Sequence, residues 1–249
     1  TRMSYPYQSV PTLPPALGLI VLQADETLEG DMRTMMPLET AFYVSRVPSG
    51  DAVTTDTLAE MAAHLSRAAG LLPHAARFAS IGYGCTSGAA EIGPERVAGL
   101  IRAGADSPHV TNPLSALIAA CQHLGVTRLG LLSPYVAQVS AKLRDALGRD
   151  GIETPVFGSF DEAEEAKVVR IDAASIVAAA VDLASQGGAE AVFLSCTNLR
   201  TLNVIDRIEG ETGLPCLSSN QVLAWHMAQA AGITARIPGR LGQSEATVP

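Results

Sequence analysis

Apolar runs of strand length alternate with longer amphipathic segments along most of the chain. Four runs are apolar almost throughout, which is typical of strands buried on both faces of a parallel sheet: residues 16–22, 78–83, 128–132 and 191–195. Shorter apolar runs predict brief strands at 110–111 and 216–217. The intervening sequence has helical periodicity at 55–70, 93–103, 113–124, 136–147, 173–186, 199–213 and 221–231.

Boundary residues support the first of these helices. Thr54 or Thr55 is suited to cap a helix at 55–70, and Gly70 is suited to end it. The segment that begins at Gln23, after the first strand, has no clear apolar period and is predicted as a loop.

The two halves of the chain resemble each other. Residues 78–88 read F-A-S-I-G-Y-G-C-T-S-G and residues 191–198 read A-V-F-L-S-C-T-N, so a buried strand ends in Cys-Thr in both. Similar runs follow at 110–120 and 217–227. Each half is therefore predicted to have the order β-α-β-Cys-α-β-α, and a repeat of this length is strong evidence of duplication.

Alternation of strands and helices predicts an α/β fold with mostly parallel sheets covered by helices on both faces. The repeat divides it into two similar subdomains with the active site between them. The N-terminal subdomain is expected to comprise residues 16–125 and 220–236, and the C-terminal subdomain residues 126–219. Residues 237–249 are predicted as a partly disordered tail.

The composition fits a folded protein and excludes several classes of function. Hydrophobic residues make up 47% and charged residues 17% of the 249 residues, which excludes a disordered chain. A formal net charge of −8 argues against nucleic acid or membrane as a partner. No apolar run approaches the roughly 20 residues of a membrane span. Because the N-terminus also lacks the apolar stretch of a signal peptide, a cytoplasmic protein is expected.

The four cysteines are the candidate reactive residues. They lack the Cys-x-x-Cys spacing of a zinc site, so we predict free thiols and no metal. Cys85 and Cys196 end equivalent strands, and each is expected just before a helix. The carboxyl ends of parallel strands bind ligands, and helix N-termini lower the pKa of a thiol. Cys121 and Cys216 have no counterpart in the other half and are assigned to the core.

Two thiols on opposite sides of one cleft suit a reaction that needs a thiolate base or nucleophile and a thiol acid. The small polar neighbours of Cys85 and Cys196 are suited to hold a small carboxylate. These neighbours are Thr86, Ser87, Thr197 and Asn198. The alternative is that both cysteines pack at strand ends, which is the commoner role of a buried cysteine.

The duplicated strand–Cys–Thr halves resemble the aspartate/glutamate racemase superfamily, and within it the branch of maleate cis-trans isomerases and arylmalonate decarboxylases. The branch is indicated by D-E-T-L-E at 25–29, S-P-Y at 133–135 and S-C-T-N at 195–198. Within that branch, residues 158–165 and 218–226 are similar to ectoine-utilisation proteins of the EutA type. The resemblance covers roughly residues 16–235.

The resemblance implies two flavodoxin-like subdomains around a pseudo-twofold axis, no cofactor, and a small carboxylate or amino-acid derivative as substrate. Cys85 and Cys196 correspond to the family's two reactive cysteines. The decarboxylase has glycine at the first position and uses the second cysteine as proton donor, so retention of both favours an isomerase or racemase. Tyr135 corresponds to a tyrosine that reaches the substrate carboxylate, and Thr86 and Ser87 to carboxylate-binding positions.

Asp25 departs from the family pattern, because maleate isomerases have an asparagine after the first strand. We expect Asp25 to contact the substrate. An acidic residue there repels a dicarboxylate and is suited to attract a substrate ammonium group, which counts against maleate as the substrate.

Three functions stay open at this point. The leading one is an isomerase or racemase; the others are a decarboxylase with Cys196 as proton donor, and a carboxylate-binding protein without catalysis. The five histidines are assigned structural or surface roles. The acidic run at 161–167 is predicted as a solvated face, with a lid over the site as the alternative. A homo-oligomer is compatible with the sequence.

Overall fold

The strands form two four-stranded parallel sheets in the computed structural model, which describes residues 2–10 and 13–244. Within those residues the strands are Ala16–Leu22 (β1), Phe42–Val47 (β2), Phe78–Gly84 (β3), His109–Thr111 (β4), Arg128–Ser133 (β5), Glu153–Ser159 (β6), Ala191–Leu194 (β7) and Cys216–Ser218 (β8).

Helices connect the strands and cover the sheets. In the described part of the chain they are Leu28–Met35 (α1), Thr55–Glu60 (α2), Ala62–Ala69 (α3), Thr86–Ile92 (α4), Pro94–Gly104 (α5), Pro113–Leu124 (α6), Ala137–Arg149 (α7), Glu165–Val168 (α8), Ala173–Ser185 (α9), Ile205–Thr212 (α10), Ser219–Ala231 (α11) and Gly239–Gln243 (α12). A 3₁₀ turn at Leu202–Val204 precedes α10. Among the residues that the structure describes, no helix combines the length and apolar character that a bilayer crossing requires.

The two sheets have the same strand order, β2-β1-β3-β4 in one and β6-β5-β7-β8 in the other. All neighbouring strands within them are parallel. The predicted α/β fold of two similar parallel-sheet halves is therefore confirmed. The predicted order with three strands in each half is wrong, because each half contains four.

The additional strand in the first half is β2, in the segment after Gln23 that was predicted as a loop. This strand lies at the edge of its sheet, and most of its side chains are partly or fully exposed. Its mixed sequence, F-Y-V-S-R-V, therefore lacks the continuous apolar pattern of the central strands. Helix α1 lies in the same segment, between β1 and β2.

Several boundaries agree with the sequence pattern. Strand β1 and helix α6 occupy the predicted residues. The side chain of Asn112 accepts a hydrogen bond from the N–H of Ser115 at 3.1 Å and caps α6. Gly125 ends the helix with a φ of 68°, a value that glycine adopts without strain.

The helix predicted at 55–70 is divided into α2 and α3. The helix is interrupted at Met61 by a tighter turn, in which the N–H of His64 donates to the carbonyl of Met61, three residues earlier, at 3.0 Å. The predicted start is confirmed by a capping box, in which Thr54 and Thr57 each accept from the other's backbone N–H.

The chain after Cys196 does not enter a helix directly, contrary to the prediction. It runs irregularly as far as the 3₁₀ turn, so only the first of the two cysteines precedes a helix. The predicted tail at 237–249 is also partly wrong, because it contains α12. The backbone N–H of Arg240 donates to the Glu209 carboxylate, and Leu241 is buried. Residues 245–249 lie outside the described residues.

The core of the first sheet is built from alternate sides of β1. Leu17, Leu19 and Val21 pack with α1 and α11, whereas Ile20 and Leu22 belong to the larger core cluster. Helix α11 contacts β3, β4 and α6, although it follows the last strand of the other half. This contact supports the prediction that 220–236 belong to the N-terminal subdomain.

Candidate active site

The carboxyl ends of the two central strands of each sheet meet at one cavity. Strands β1 and β3 lead to Asp25 and Cys85, and strands β5 and β7 lead to Tyr135 and Cys196. Because parallel strands present their carboxyl ends at one edge, the two similar halves supply equivalent walls. Both predicted cysteines line this cavity.

Cys85 begins helix α4. Its Sγ accepts a hydrogen bond from the N–H of Gly88 at 3.1 Å, and its side chain is buried. Gly88 has no room for a side chain, because a Cβ would lie 2.9 Å from Cys85 Sγ and 2.6 Å from the hydroxyl oxygen of Tyr83. The Thr-Ser-Gly sequence after the cysteine therefore allows the close approach of α4 to the thiol.

Cys196 lies on strained backbone. Its φ is 94°, in the region that favours glycine and costs other residues about 1–3 kcal/mol. The N–H of Cys196 donates to Ser219 Oγ at 3.1 Å, and its Sγ accepts from the N–H of Asn198 at 3.3 Å. A cysteine held where glycine fits more easily is typical of a functional position.

A buried hydrogen-bond chain links Cys196 to a carboxylate. The hydroxyl of Tyr135 lies 2.8 Å from Cys196 Sγ and donates to Glu165 Oε1 at 2.6 Å. A tyrosine hydroxyl carries one proton, so while Tyr135 donates to Glu165 the thiol of Cys196 is the donor toward Tyr135. Burial and the negative charge of Glu165 raise the pKa of Cys196, which favours its protonated form.

Glu165 corrects the prediction that 161–167 is only a solvated face. Its side chain lines the cavity and is 4% exposed, and Oε2 accepts from Asn198 Nδ2 at 2.6 Å. Glu164 and Lys167 in the same run are exposed and form an ion pair at 2.7 Å. The prediction fails at Glu165 because a buried charge depends on partners from distant segments, which a local charge pattern does not show.

Asp25 holds the start of α1 and also lines the cavity. Its Oδ1 accepts from the backbone N–H groups of Thr27 at 2.9 Å and Leu28 at 2.8 Å. Its Oδ2 is buried and has no hydrogen-bond partner in the described structure. The nearby Thr197 hydroxyl donates to the carbonyl of Gly84 at 3.1 Å.

The other predicted site residues also line the cavity, and several are engaged with protein atoms. Thr86 Oγ1 lies 2.7 Å from Ser219 Oγ, and Ser87 is buried. Asn198 joins the two halves, because its Oδ1 accepts from the N–H of Glu26 at 2.9 Å while its amide donates to Glu165. Direct contact of these side chains with a substrate stays a prediction.

Burial controls the pKa of the two thiols. It raises the pKa of Cys85 to about 12 and that of Cys196 well above its usual range, and the negative charge of Glu165 raises both further. The expectation that a helix N-terminus lowers these pKa values is wrong, because loss of hydration outweighs the stabilising N–H of Gly88. Burial likewise raises the pKa of Asp25 and of Glu165.

The cavity is nearly closed. About 10 Å³ remains for the centre of a water-sized molecule, roughly the room that one water needs. Two segments pair at its wall: the N–H of Val53 donates to the carbonyl of Ala163 at 2.9 Å, and the N–H of Glu165 donates to the carbonyl of Asp51 at 3.1 Å. A substrate of several carbon atoms therefore requires part of this wall to move.

Sequence reasoning missed Glu165 and Ser219. Ser219 lies in the S-S-N-Q run at 218–221, whose capping box between Ser218 and Gln221 starts α11 two residues earlier than predicted. That capping pattern is the signal that places Ser219 at the carboxyl end of β8, on the active-site edge of the sheet.

A sequence model of the arylmalonate decarboxylase family matches residues 94–242, which is more than half of the chain. The chain belongs to the arylmalonate decarboxylase family. A maleate isomerase from Geobacillus stearothermophilus is 25% identical over 238 residues, covering 89% of this chain and 94% of that relative. An arylmalonate decarboxylase from Bordetella bronchiseptica is 26% identical over 123 residues, covering 49% of this chain and 51% of the relative.

Solved structures share the fold of this family member. A maleate isomerase from Pseudomonas putida S16, solved with maleate, superimposes with a TM-score of 0.81 at 23% identity and covers 93% of this chain and 98% of its own. A cysteine-to-serine mutant of the Nocardia farcinica maleate cis-trans isomerase, with a covalently bound succinylcysteine intermediate, also gives a TM-score of 0.81 at 23% identity, covering 92% of this chain and 98% of its own. The predicted resemblance to the branch of maleate isomerases and arylmalonate decarboxylases is confirmed.

Proposed function

We propose that this protein is a cofactor-independent isomerase or racemase of a small carboxylate, in which Cys85 and Cys196 form the reactive pair. The observation that carries the proposal is that both thiols, one from each repeated half, line a single buried cavity. Burial and Glu165 favour the protonated form of Cys196, which suits it to act as the acid while Cys85 acts as the base or nucleophile.

In the racemase form of the reaction, the Cys85 thiolate removes the proton from the carbon next to the carboxylate. The electrons of that C–H bond move into the carboxylate, which becomes an enediolate. The Cys196 thiol then delivers its proton to the opposite face. Cys85 ends as a thiol and Cys196 as a thiolate, so the pair is ready for the reverse reaction.

In the isomerase form, the Cys85 thiolate adds to one carbon of a cis double bond while the Cys196 thiol protonates the other. The carbon–carbon bond is then single and rotates. Cys196 takes the proton back, the double bond re-forms in the trans geometry, and the Cys85 thiolate leaves. The succinylcysteine intermediate of the Nocardia farcinica enzyme supports this route, because it is the adduct such an addition produces.

Decarboxylation is the alternative within the family. A substrate with two carboxylates on one carbon loses one of them as carbon dioxide, which leaves the same kind of enediolate, and one proton donor, here Cys196, then protonates that carbon. The presence of a cysteine at position 85 favours the two-group reactions over this one. A binding protein without catalysis is the third candidate, and the two cysteines in one cavity argue against it.

The test is to incubate the protein with small unsaturated acids and chiral amino-acid derivatives. Optical rotation, the geometry of the double bond and released carbon dioxide are followed together. We expect inversion or cis–trans conversion without carbon dioxide. Release of carbon dioxide identifies a decarboxylase, and binding of a carboxylate without any conversion identifies a binding protein; either result contradicts the proposal.

We also propose that the protein serves ectoine utilisation in the cytoplasm, as the EutA-type resemblance implies. Two runs support the EutA-type resemblance, residues 158–165 and 218–226, and they contribute Glu165 and Ser219 to the site. Deletion of the gene in its host should abolish growth on ectoine and leave growth on other nitrogen sources intact. Unimpaired growth on ectoine contradicts this assignment.

A further inference from the structure

The cavity contains two acidic side chains and no side chain that balances them. Asp25 enters from the N-terminal half and Glu165 from the C-terminal half. Of the described residues that line the cavity, none is a lysine, arginine or histidine. A site that recognises only carboxylates is expected to present the opposite charge, because like charges repel strongly when they are buried.

Asp25 has one oxygen available for a ligand. Oδ1 is used by two backbone N–H groups, whereas Oδ2 is buried and has no partner within the described residues, and Asp25 lines the cavity. The residue as a whole is 4% exposed, so bulk solvent does not reach this oxygen. A buried carboxylate oxygen without a donor is costly, and a cation or strong donor at this point removes the cost.

Glu165 has partners, but both are neutral. Tyr135 donates to Oε1 at 2.6 Å and Asn198 donates to Oε2 at 2.6 Å. Each oxygen keeps a second lone pair, and the hydrogen bonds orient the carboxylate without compensating its charge.

The charged groups around the cavity do not reverse its negative charge. Arg46 of β2 donates to the carbonyl oxygens of Leu22 and Asp25, both at 2.9 Å, and its side chain is 45% exposed, so its charge is largely in solvent. Asp31 of α1 adds a third acid near Asp25, where it accepts a hydrogen bond from Asn220 at 2.7 Å.

We infer that the substrate carries a cationic nitrogen, an ammonium or an amidinium group, in addition to its carboxylate, and that Asp25 Oδ2 holds this nitrogen with Glu165 as the second negative group. The inference rests on the proposed function, because it concerns the substrate of the same cavity. It also accounts for the acidic residue at position 25.

A cationic substrate also prepares the thiols for reaction. The charges of Glu165 and Asp25 both raise the pKa of Cys85 and of Cys196. A positive charge bound between the acids counters that effect and lowers the pKa of both thiols, so less free energy is needed to form the Cys85 thiolate when the substrate is in place.

Two probes with the same carbon skeleton test the charge preference. Maleate has a carboxylate at each end of a cis double bond, and cis-4-aminobut-2-enoate has a carboxylate at one end and an aminomethyl group at the other. Affinities are measured by calorimetry with the full chain carrying Cys85→Ser, which removes the thiol that adds to the double bond or takes the proton in the two proposed routes. We expect the aminobutenoate to bind at least tenfold more tightly than maleate, in line with a discrimination of about 1.4 kcal/mol.

Asp25→Asn should remove most of this preference, because an amide keeps the capping contact with α1 but carries no charge. The matched control is Asp31→Asn, which removes an equal charge close by from a residue that does not line the cavity; it should change the ratio less than twofold. The inference would be overturned if maleate bound as tightly as the aminobutenoate or more tightly, or if the aminobutenoate did not bind at millimolar concentration. An unchanged ratio of the two affinities in folded Asp25→Asn protein would also overturn it. Binding in the Cys85→Ser chain needs no turnover, so these outcomes are distinct from a failure of the proposed isomerase or racemase activity.

Discussion

Cys196 shows how much of this site depends on the geometry of single residues. Apart from Asp161, it is the one non-glycine residue with positive φ in the described parts of the chain. Its strain persists because neighbouring groups hold it: Ser219 accepts from its backbone N–H, and Tyr135 and Asn198 contact its sulfur. Stability and activity are therefore expected to oppose each other at this position.

Substitution of a cysteine by glycine and by alanine tests whether the backbone at Cys196 is strained. At Cys196, glycine should give a protein at least as stable as alanine does, because glycine adopts a φ of 94° freely. Cys121 is the matched control, since it lies inside helix α6, where glycine should be less stable than alanine by roughly 0.5–1 kcal/mol. Urea denaturation of the four variants measures this. If the alanine variant is the more stable one at both positions, Cys196 is not strained.

The acids near the site predict a loss of stability with rising pH. Burial raises the pKa of Asp31 to about 6, so its neutral form is the one that folding favours. Its contribution is complete below the unfolded pKa of about 4 and is lost as the pH rises through 6, at up to about 1.4 kcal/mol per pH unit. Asp31→Asn should therefore match the wild type at pH 4 and exceed it in unfolding free energy at pH 7. A difference between the two proteins that does not vary with pH contradicts this assignment.

At the scale of elements, the reactive residues lie at the carboxyl ends of the strands, and the connecting segments after the strands form the wall of the cavity. Strands β3 and β7 supply the cysteines, while α8 and the segment at 51–53 complete the wall. Ala52 and Glu164 are opposite each other in this antiparallel pairing. The pairing is short and lies between connecting segments, so it is the part of the wall best suited to separate.

A disulfide across this pair should trap the closed cavity. The hydrogen bonds of the flanking residues make Ala52 and Glu164 a non-hydrogen-bonded antiparallel pair, whose Cα atoms are typically about 4.5 Å apart and within reach of a disulfide. The double variant Ala52→Cys/Glu164→Cys should lose at least tenfold of its turnover on oxidation and recover it on reduction. Each single variant is the control. Full activity of the oxidised double variant would show that the substrate enters elsewhere.

The sequence predicts elements best where one physical signal dominates. Strand β1 and helix α6 were predicted with their observed bounds, because one is continuously apolar and the other begins after a capping asparagine and ends at a glycine. Strand β2 was missed because an edge strand is only half buried. Glu165 was missed because its burial depends on Tyr135 and Asn198, 30 and 33 residues away along the chain.

At the scale of the whole molecule, duplication accounts for both the fold and the site. Two sheets of the same strand order bring equivalent strand ends together, so one cysteine from each half faces a shared cavity. The repeat was readable in the sequence because both cysteines follow buried strands. The further contacts between halves, such as Asn198 with Glu26, have no counterpart in the repeat and were not predictable from it.

The other two cysteines should be dispensable for catalysis. Cys121 and Cys216 are fully buried in the core and do not line the cavity. Alanine at either position should leave turnover within about twofold of the wild type and cost about 1 kcal/mol of stability, as small truncations in a core do. Thermal unfolding and turnover of both variants check this. Complete loss of activity in folded Cys216→Ala protein would show that the reactive pair has been assigned to the wrong cysteines.

The most direct test of the two-cysteine mechanism compares Cys85→Ala and Cys196→Ala, with Cys121→Ala as the control, on a substrate that the wild type converts. Turnover is followed together with carbon dioxide release. We predict that each of the two variants loses at least about a hundredfold in turnover, the scale expected for a positioned acid or base, and that none of the proteins releases carbon dioxide. Carbon dioxide release that persists in Cys85→Ala and vanishes in Cys196→Ala would contradict the two-cysteine account and establish a decarboxylase.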